Sequence, residues 1–337
     1  MEHIDDPVID VFDLGSGDDG TPPAEVDQRT PVERVEDALS AFADGEVRAL
    51  EVAYLTDTDR AATDRLAAAW PSLPEETRVA VARWMNELAE DRVELNFGRS
   101  LRVALDDPSA VVRQLAVAGL WEDEGRDLPP ILLRLLRADP SQDVRAEAAQ
   151  GMGRFAVLAA GGDDVGMDAD RLRDVLLDVA ADEAEPSLLR RRALEAVAVF
   201  GAEDSEIADL IEEAYDGDDP GLRAGSVFAM GRTLDPRWSS TILAELRSDD
   251  AELRYEAARS AGELGDEAAV TDLADLVEDE DAEVRVAAIA ALGHIGGRSA
   301  VRVLRALADR ADGAETEAVA AALEEAVALG DPLRVNP

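Results

Sequence analysis

Residues 279–296 read DEDAEVRVAAIAALGHIG: an acidic turn, then Val284 and Arg285, then a run of small and aliphatic residues ending in Gly293 and Gly296. The same sentence recurs upstream as DDAELRYEAARSAGELG (249–265), DDPGLRAGSVFAMG (218–231), EPSLLRRRALEAVAVFG (185–201), DPSQDVRAEAAQGMG (139–153) and DPSAVVRQLAVAGL (107–120). Its anchoring arginines are Arg113, Arg145, Arg190, Arg223, Arg254 and Arg285, separated by 32, 45, 33, 31 and 31 residues. A near-constant period of this size is the mark of stacked supersecondary units rather than of one closed core. Each unit is predicted to be a helical hairpin, because leucines and valines recur at helical spacing before each acidic turn (Leu172, Val175, Leu176 and Val179; Leu273, Leu276 and Val277).

Composition agrees and narrows the function. Of 337 residues, 47% are apolar but only 4% aromatic, an Ala, Leu and Val chemistry that suits closely packed helices better than a β-sandwich. There is no cysteine, which excludes disulfides, thiolate catalysis and Cys-ligated metal sites. No apolar run approaches the roughly 20 residues that cross a bilayer. The start, MEHIDDPVIDVFDLG, lacks the basic and apolar regions of a secretory signal, so a cytoplasmic location is expected. Acids number 75 against 33 basic residues, every one of them Arg, for a net charge of −42. Such a chain repels itself in dilute buffer, whereas at molar salt the Debye length falls to about 3 Å. The acidic, lysine-free composition resembles that of halophile proteins. The acids are spread over every turn, as a solvent adaptation requires, whereas a patch for a basic partner would be concentrated.

Residues 1–30 hold Pro7, Pro22, Pro23 and a Gly-Asp cluster without helical period, and read as an acidic, disordered tail. Within it Val8 to Leu14 alternates apolar and acidic residues, either a solvated stretch or a short segment that docks on a partner or on the solenoid. Residues 31–337 read as the solenoid. Pro108, Pro140, Pro186 and Pro220 stand where second helices begin, a place that tolerates the missing N–H. Two weaker copies lie upstream at Arg78 and Arg48, and a last one has Thr316 at the anchor, as end units should differ. The long step holds a loop insertion near 159–170.

The pattern of acidic turn, aliphatic-Arg, Ala-Ala and Ala-Leu-Gly resembles the HEAT-repeat family, in the short form of the phycobilisome lyases. The resemblance covers roughly residues 40–330. It implies an all-α, right-handed α-solenoid of about eight or nine hairpins. It also implies that the turn Asp and the following Arg bridge adjacent repeats, Asp139 with Arg145 and Asp279 with Arg285. It says little of function, because the fold serves many roles. Deoxyhypusine hydroxylase resembles this architecture, but its iron sites need several His-Glu pairs. This chain has only His3 and His294, neither followed by Glu. Phycobilin lyases share the repeat type, and nothing else here supports bilin chemistry. HEAT-like DNA glycosylases need a cationic groove, which net −42 disfavours.

No catalytic, cofactor or metal set stands out. Gly15-Ser16-Gly17-Asp18-Asp19-Gly20 fits a dinucleotide fingerprint, but Thr21-Pro22-Pro23 follows where a helix is needed and two acids would repel phosphate. Asp216 to Gly221 suggests a calcium loop, but its twelfth position is Val227 instead of Glu. The positions five and nine after each anchor share one face of the second helix, expected to line the concave side. On that stripe Arg154, Phe228, Arg232 and Arg259 are the candidate partner-binding residues, able to grip an acidic peptide or to pair with neighbouring acids. The reading is a non-enzymatic protein-binding scaffold without cofactors. The alternative is a lyase-like or chaperone accessory to a cofactor-bearing protein. The charge balance predicts that the far-ultraviolet helical signal is full at molar potassium chloride and falls in millimolar buffer; a signal indifferent to salt contradicts it.

Overall fold

The computed structural model describes residues 29–45, 47–310 and 314–329. The tail read over 1–30 lies outside the described residues except for Arg29 and Thr30, as do the 8–14 alternation and the Gly15–Gly20 match. Among the described residues every regular element is helical, and no helix is long and apolar enough to cross a membrane. The chain divides into two compact units, Met1–Asp123 and Glu124–Pro337.

The first unit has three hairpins: α1 (Pro31–Ala43) with α2 (Ala49–Ala53), α3 (Arg60–Ala69) with α4 (Glu75–Asp91), and α5 (Gly98–Ala104) with α6 (Ala110–Ala118). First helices pack on first helices and second on second, in chain order. The second unit has six: α7 (Leu128–Ala138) with α8 (Gln142–Ala160), α9 (Ala169–Ala181) with α10 (Ser187–Val197), α11 (Ser205–Asp216) with α12 (Pro220–Arg232), α13 (Ser239–Glu245) with α14 (Ala251–Leu264), α15 (Val270–Leu276) with α16 (Ala282–Ile295), and α17 (Gly297–Ala308) with α18 (Ala314–Leu329). Here α8, α10, α12, α14, α16 and α18 pack each on the next, while successive first helices meet far less. The second helices therefore form the inside of the stack. Each unit is an all-α solenoid, with nine hairpins (three plus six) among the described residues.

Local chemistry explains the boundaries. Pro220 opens α12, with Asp219 as N-cap accepting from the Leu222 N–H at 2.9 Å and from the Ser187 hydroxyl at 2.6 Å. The calcium-like loop of the sequence is thus a helix cap. Asp250 and Asp281 cap α14 and α16 in the same way. In the long step, α8 continues to Ala160, and residues 161–168 then turn with Val165 buried.

Second helices approach closely because a glycine faces a small residue of the next repeat. A Cβ on Gly231 would stand 2.6 Å from Ser260 Cα, and one on Gly262 3.0 Å from Ala291 Cα. Around these contacts lie fully buried Ala258, Ala261, Ala288 and Leu292. Truncating a leucine in such a seam costs about 2–5 kcal/mol.

The anchoring arginines stitch the repeats in two directions. Backward, the guanidinium holds carbonyls at the end of its own first helix or in the turn just after it: Arg145 reaches Leu136 O at 2.7 Å, Arg190 Ala180 O at 3.0 Å, Arg223 Tyr215 O at 3.0 Å and Arg254 the turn carbonyl of Ser248 at 3.0 Å. Forward, three of them reach an acid in the next repeat. Arg254 holds Asp279 through two bonds of 2.8 and 2.9 Å, Arg145 meets Glu185 at 2.8 Å and Arg285 meets Glu315 at 3.0 Å. In the first unit Arg78 meets the fully buried Asp107 at 2.7 Å, and the Trp70 indole donates to the same oxygen at 2.7 Å.

This corrects the pairing that the family resemblance implied. Asp279 does bridge repeats, but to Arg254 of the preceding hairpin, while Arg285 takes only the Asp279 main-chain carbonyl, at 2.9 Å. Arg145 turns to Glu185, and Asp139 accepts from the Ser141 N–H at 2.9 Å. The planar guanidinium presents two edges. One is committed to the carbonyls of its own hairpin, so the other faces the following repeat.

The hydrogen bonds from Arg254 hold the Asp279 carboxyl below its ordinary value of 3.8, against the opposing effect of burial. A depressed carboxylate contributes stability that is full above the unfolded-state value and is lost as pH falls through the lower folded one. Asp279→Asn is expected to cost about 1–3 kcal/mol at neutral pH, with the difference from wild type shrinking to nothing well below pH 3.8. Paired urea titrations at the two pH values check this.

Candidate partner-binding face

The inner face of the second unit is built from the exposed stripe of α10, α12 and α14. Its organising side chain is Arg191 of α10. The guanidinium donates to Glu195 on its own helix at 2.8 Å, then passes over α12 to reach Glu252 at 2.5 Å and Glu256 at 3.1 Å on α14. Gly225 makes the crossing possible, since a Cβ there would stand 2.6 Å from Arg191 Cγ. Arg192 adds a second bond to Glu195 at 2.8 Å, and Arg259 bonds Glu256 at 3.0 Å. The chain of charges Arg192, Glu195, Arg191, Glu256 and Arg259 thus ties three repeats.

The members differ in exposure. The Glu256 side chain is 5% exposed and Arg191 15%, whereas Arg259 is 41% exposed. Burial raises the Glu256 pKa, the Arg259 and Arg191 charges oppose that rise, and the like charge of Glu195 adds to it. Burial works against the Arg191 charge, but its hydrogen bonds to the Glu195 and Glu252 carboxylates outweigh this and raise its pKa. The outer end is aromatic. Arg259 lies over the half-buried Phe228 ring with its guanidinium carbon 4.4 Å from the centroid, and 5.5 Å from that of Tyr255.

The four candidates from the sequence divide. Phe228 and Arg259 are brought together by adjacent helices. Arg232 lies one turn beyond Phe228 on α12 and meets Glu263 of α14 at 3.4 Å. Arg154 stands apart on α8, with α10 between it and α12, and pairs with Glu124 at 2.5 Å. Sequence reasoning missed Arg191, Glu252, Tyr255 and Glu256. The available signal was Gly225, a vacancy at a slot filled by Glu147, Arg192 and Glu256 in other repeats. The nine-slot also pairs laterally near the last hairpin, where His294 Nε2 is 3.5 Å from Glu325. Among the described residues no group of three or more His, Asp or Glu is placed to hold a metal ion.

Residues 239–324 match the family model for HEAT repeats, a span from α13 into α18. No curated protein matches the chain in sequence. Among solved structures it is similar to the complex of CpcE and CpcF of phycocyanin lyase from Nostoc sp. PCC7120, at 19% identity over 75% of this chain and 96% of that one, with a TM-score of 0.52. It is also similar to human deoxyhypusine hydroxylase in complex with glycerol, at 18% identity over 89% and 96% of the two chains, with a TM-score of 0.34. The likeness to the lyase complex speaks to fold only.

Arg191→Met leaves Glu195 and Glu256 inside without their shared cation and is expected to cost about 3 kcal/mol or more. Adding Glu256→Gln to that variant should recover part of the loss. Denaturation midpoints of the two variants against wild type decide it: equal midpoints for all three would show the network to be energetically idle.

Proposed function

We propose that this chain, whose residues 239–324 are HEAT repeats, is a non-enzymatic adaptor that binds another protein across the inner face of its second unit. Phe228, Tyr255 and Arg259 form the centre, with Arg232 and Arg154 further out. The observation that supports this is an exposed guanidinium stacked on an aromatic ring and fixed from below by a buried ion network. Aromatic and arginine side chains held rigid in this way are what dominate protein–protein affinity. The neighbouring second helices also carry exposed apolar side chains, Leu188 on α10 (49% exposed) and Val286 on α16 (51%).

The partner segment is an acidic peptide. Arg259 uses one nitrogen on Glu256 and keeps a large part of its guanidinium in solvent, open to a bidentate carboxylate. Arg232 and Arg154 already meet Glu263 and Glu124, so an incoming acid must compete for them. They tune the contact and Arg259 anchors it.

Pull-down from the native extract at molar salt, with the captured protein quantified against each variant, tests the reading. Phe228→Ala with Arg259→Glu is expected to lose about 2 kcal/mol of binding or more, some thirty-fold in affinity. Arg154→Glu with Arg232→Glu should lose clearly less. Equal capture by all three chains would remove this face from consideration, and a visible chromophore purifying with the chain would favour the role of accessory to a cofactor-bearing protein.

A further inference from the structure

A second surface lies at the α17–α18 hairpin, where Gly297, Arg298, Val301, Arg302, Arg305, Ala326 and Val327 line an open groove of about 490 Å³. Arg298, Arg302 and Arg305 fall four and three residues apart, on one side of α17, with Val301 between them. All three are exposed, and none meets a carboxylate among the described residues. Glu267, from the preceding hairpin, lies against Gly297, its carboxylate 3.6 Å from where a Cβ would stand, without pairing to an arginine. In a chain with more than two acids per arginine, three like charges on successive turns with no counter-ion are a cost to the isolated helix.

The stack itself shows what such arginines bind. On α9, Arg173 meets Asp204 at 2.6 Å and Glu206 at 2.6 Å, the cap and first turn of α11. Arg247, in the turn just after α13, meets Asp272 at 2.8 Å, in the first turn of α15. Both arginines reach forward to the acidic first turn of the next first helix, where the positive helix end also gathers carboxylates. No described hairpin follows α18.

We propose that the α17–α18 groove docks an acidic helix of another protein, whose first-turn carboxylates take Arg298, Arg302 and Arg305 while its aliphatic side chains close over Val301, Ala326 and Val327. A second copy of the same face is disfavoured, since it would set arginines against arginines. Guanidinium–carboxylate pairs supply direction, and the apolar floor keeps the contact effective when salt screens the charges.

The probe is a labelled synthetic peptide with the sequence of residues 204–216, which presents Asp204 and Glu206 ahead of Ile207, Leu210 and Ile211. Fluorescence anisotropy with the full chain is expected to show saturable binding. Arg302→Glu should weaken it at least tenfold, as should the peptide carrying Asp204→Asn and Glu206→Gln. The milder Arg298→Gln with Arg305→Gln guards against misfolding of the charge reversal, and circular dichroism confirms that both variants keep their helices. No binding by wild type, or undiminished binding by both variants, overturns the proposal. So does tighter binding of an oligothymidylate than of the peptide, which would make the groove a phosphate site. Self-association of wild type in sedimentation equilibrium that Arg302→Glu abolishes would assign the groove to a second copy instead.

Discussion

The structure depends on one interaction that recurs along the chain: an arginine at the start of a second helix with one edge on main-chain carbonyls that close its own first helix and, in Arg78, Arg145, Arg254 and Arg285, the other edge on an acid of the next repeat. A solenoid has no global core, so its cohesion is set by contacts between neighbours. Alanine-lined seams supply area but little direction, because small side chains slide over one another. The guanidinium supplies direction. In Arg254 it joins Ser248 O behind to Asp279 ahead, so the angle of one hairpin fixes the place of the next turn. Arg78 with Asp107 and Trp70 is the same device in its most buried form.

With orientation fixed by the ladder, the inner helices can come close, and their closeness shapes the binding face. Glycine against Ser260 or Ala291 brings neighbouring second helices near enough for a side chain to reach past one repeat into the one beyond. Arg191 does this over Gly225. Its network is expensive to desolvate, and buried ion pairs are weak grounds for stability. What it does provide is position: Glu256, held from one side by Arg191, holds Arg259 from the other and keeps the guanidinium over Phe228.

The period and the helical hairpins were legible in the sequence because both follow from spacing: one anchor every thirty-odd residues and small residues where second helices meet. The forward register of the ladder was not. Each turn carries several acids, such as Asp279, Glu280 and Asp281, and spacing along one chain does not say which of them an arginine one repeat away selects. Phe228 and Arg259 were legible as a pair because they share a slot on neighbouring helices. Arg154 shares the stripe by number yet stands two inner helices away on α8, since slot arithmetic gives the face and not the distance along it. Arg191 escaped notice because its contact needs three repeats at once: a long cation in one, a missing side chain in the second and a carboxylate in the third.

Scarcity gives each arginine meaning. With 33 basic residues against 75 acids, a guanidinium on this surface has carboxylates within reach almost anywhere, and pairing is the uninformative outcome. Arg154 and Arg232 show it, each satisfied by an acid beside it. Arginines that stay exposed are informative for the opposite reason. Arg259 keeps its solvent face because its one acid lies beneath it, and the trio on α17 meets no carboxylate among the described residues. The two surfaces therefore express the same rule. At both, a guanidinium left without a full counter-charge among the described residues is open to an acid from outside.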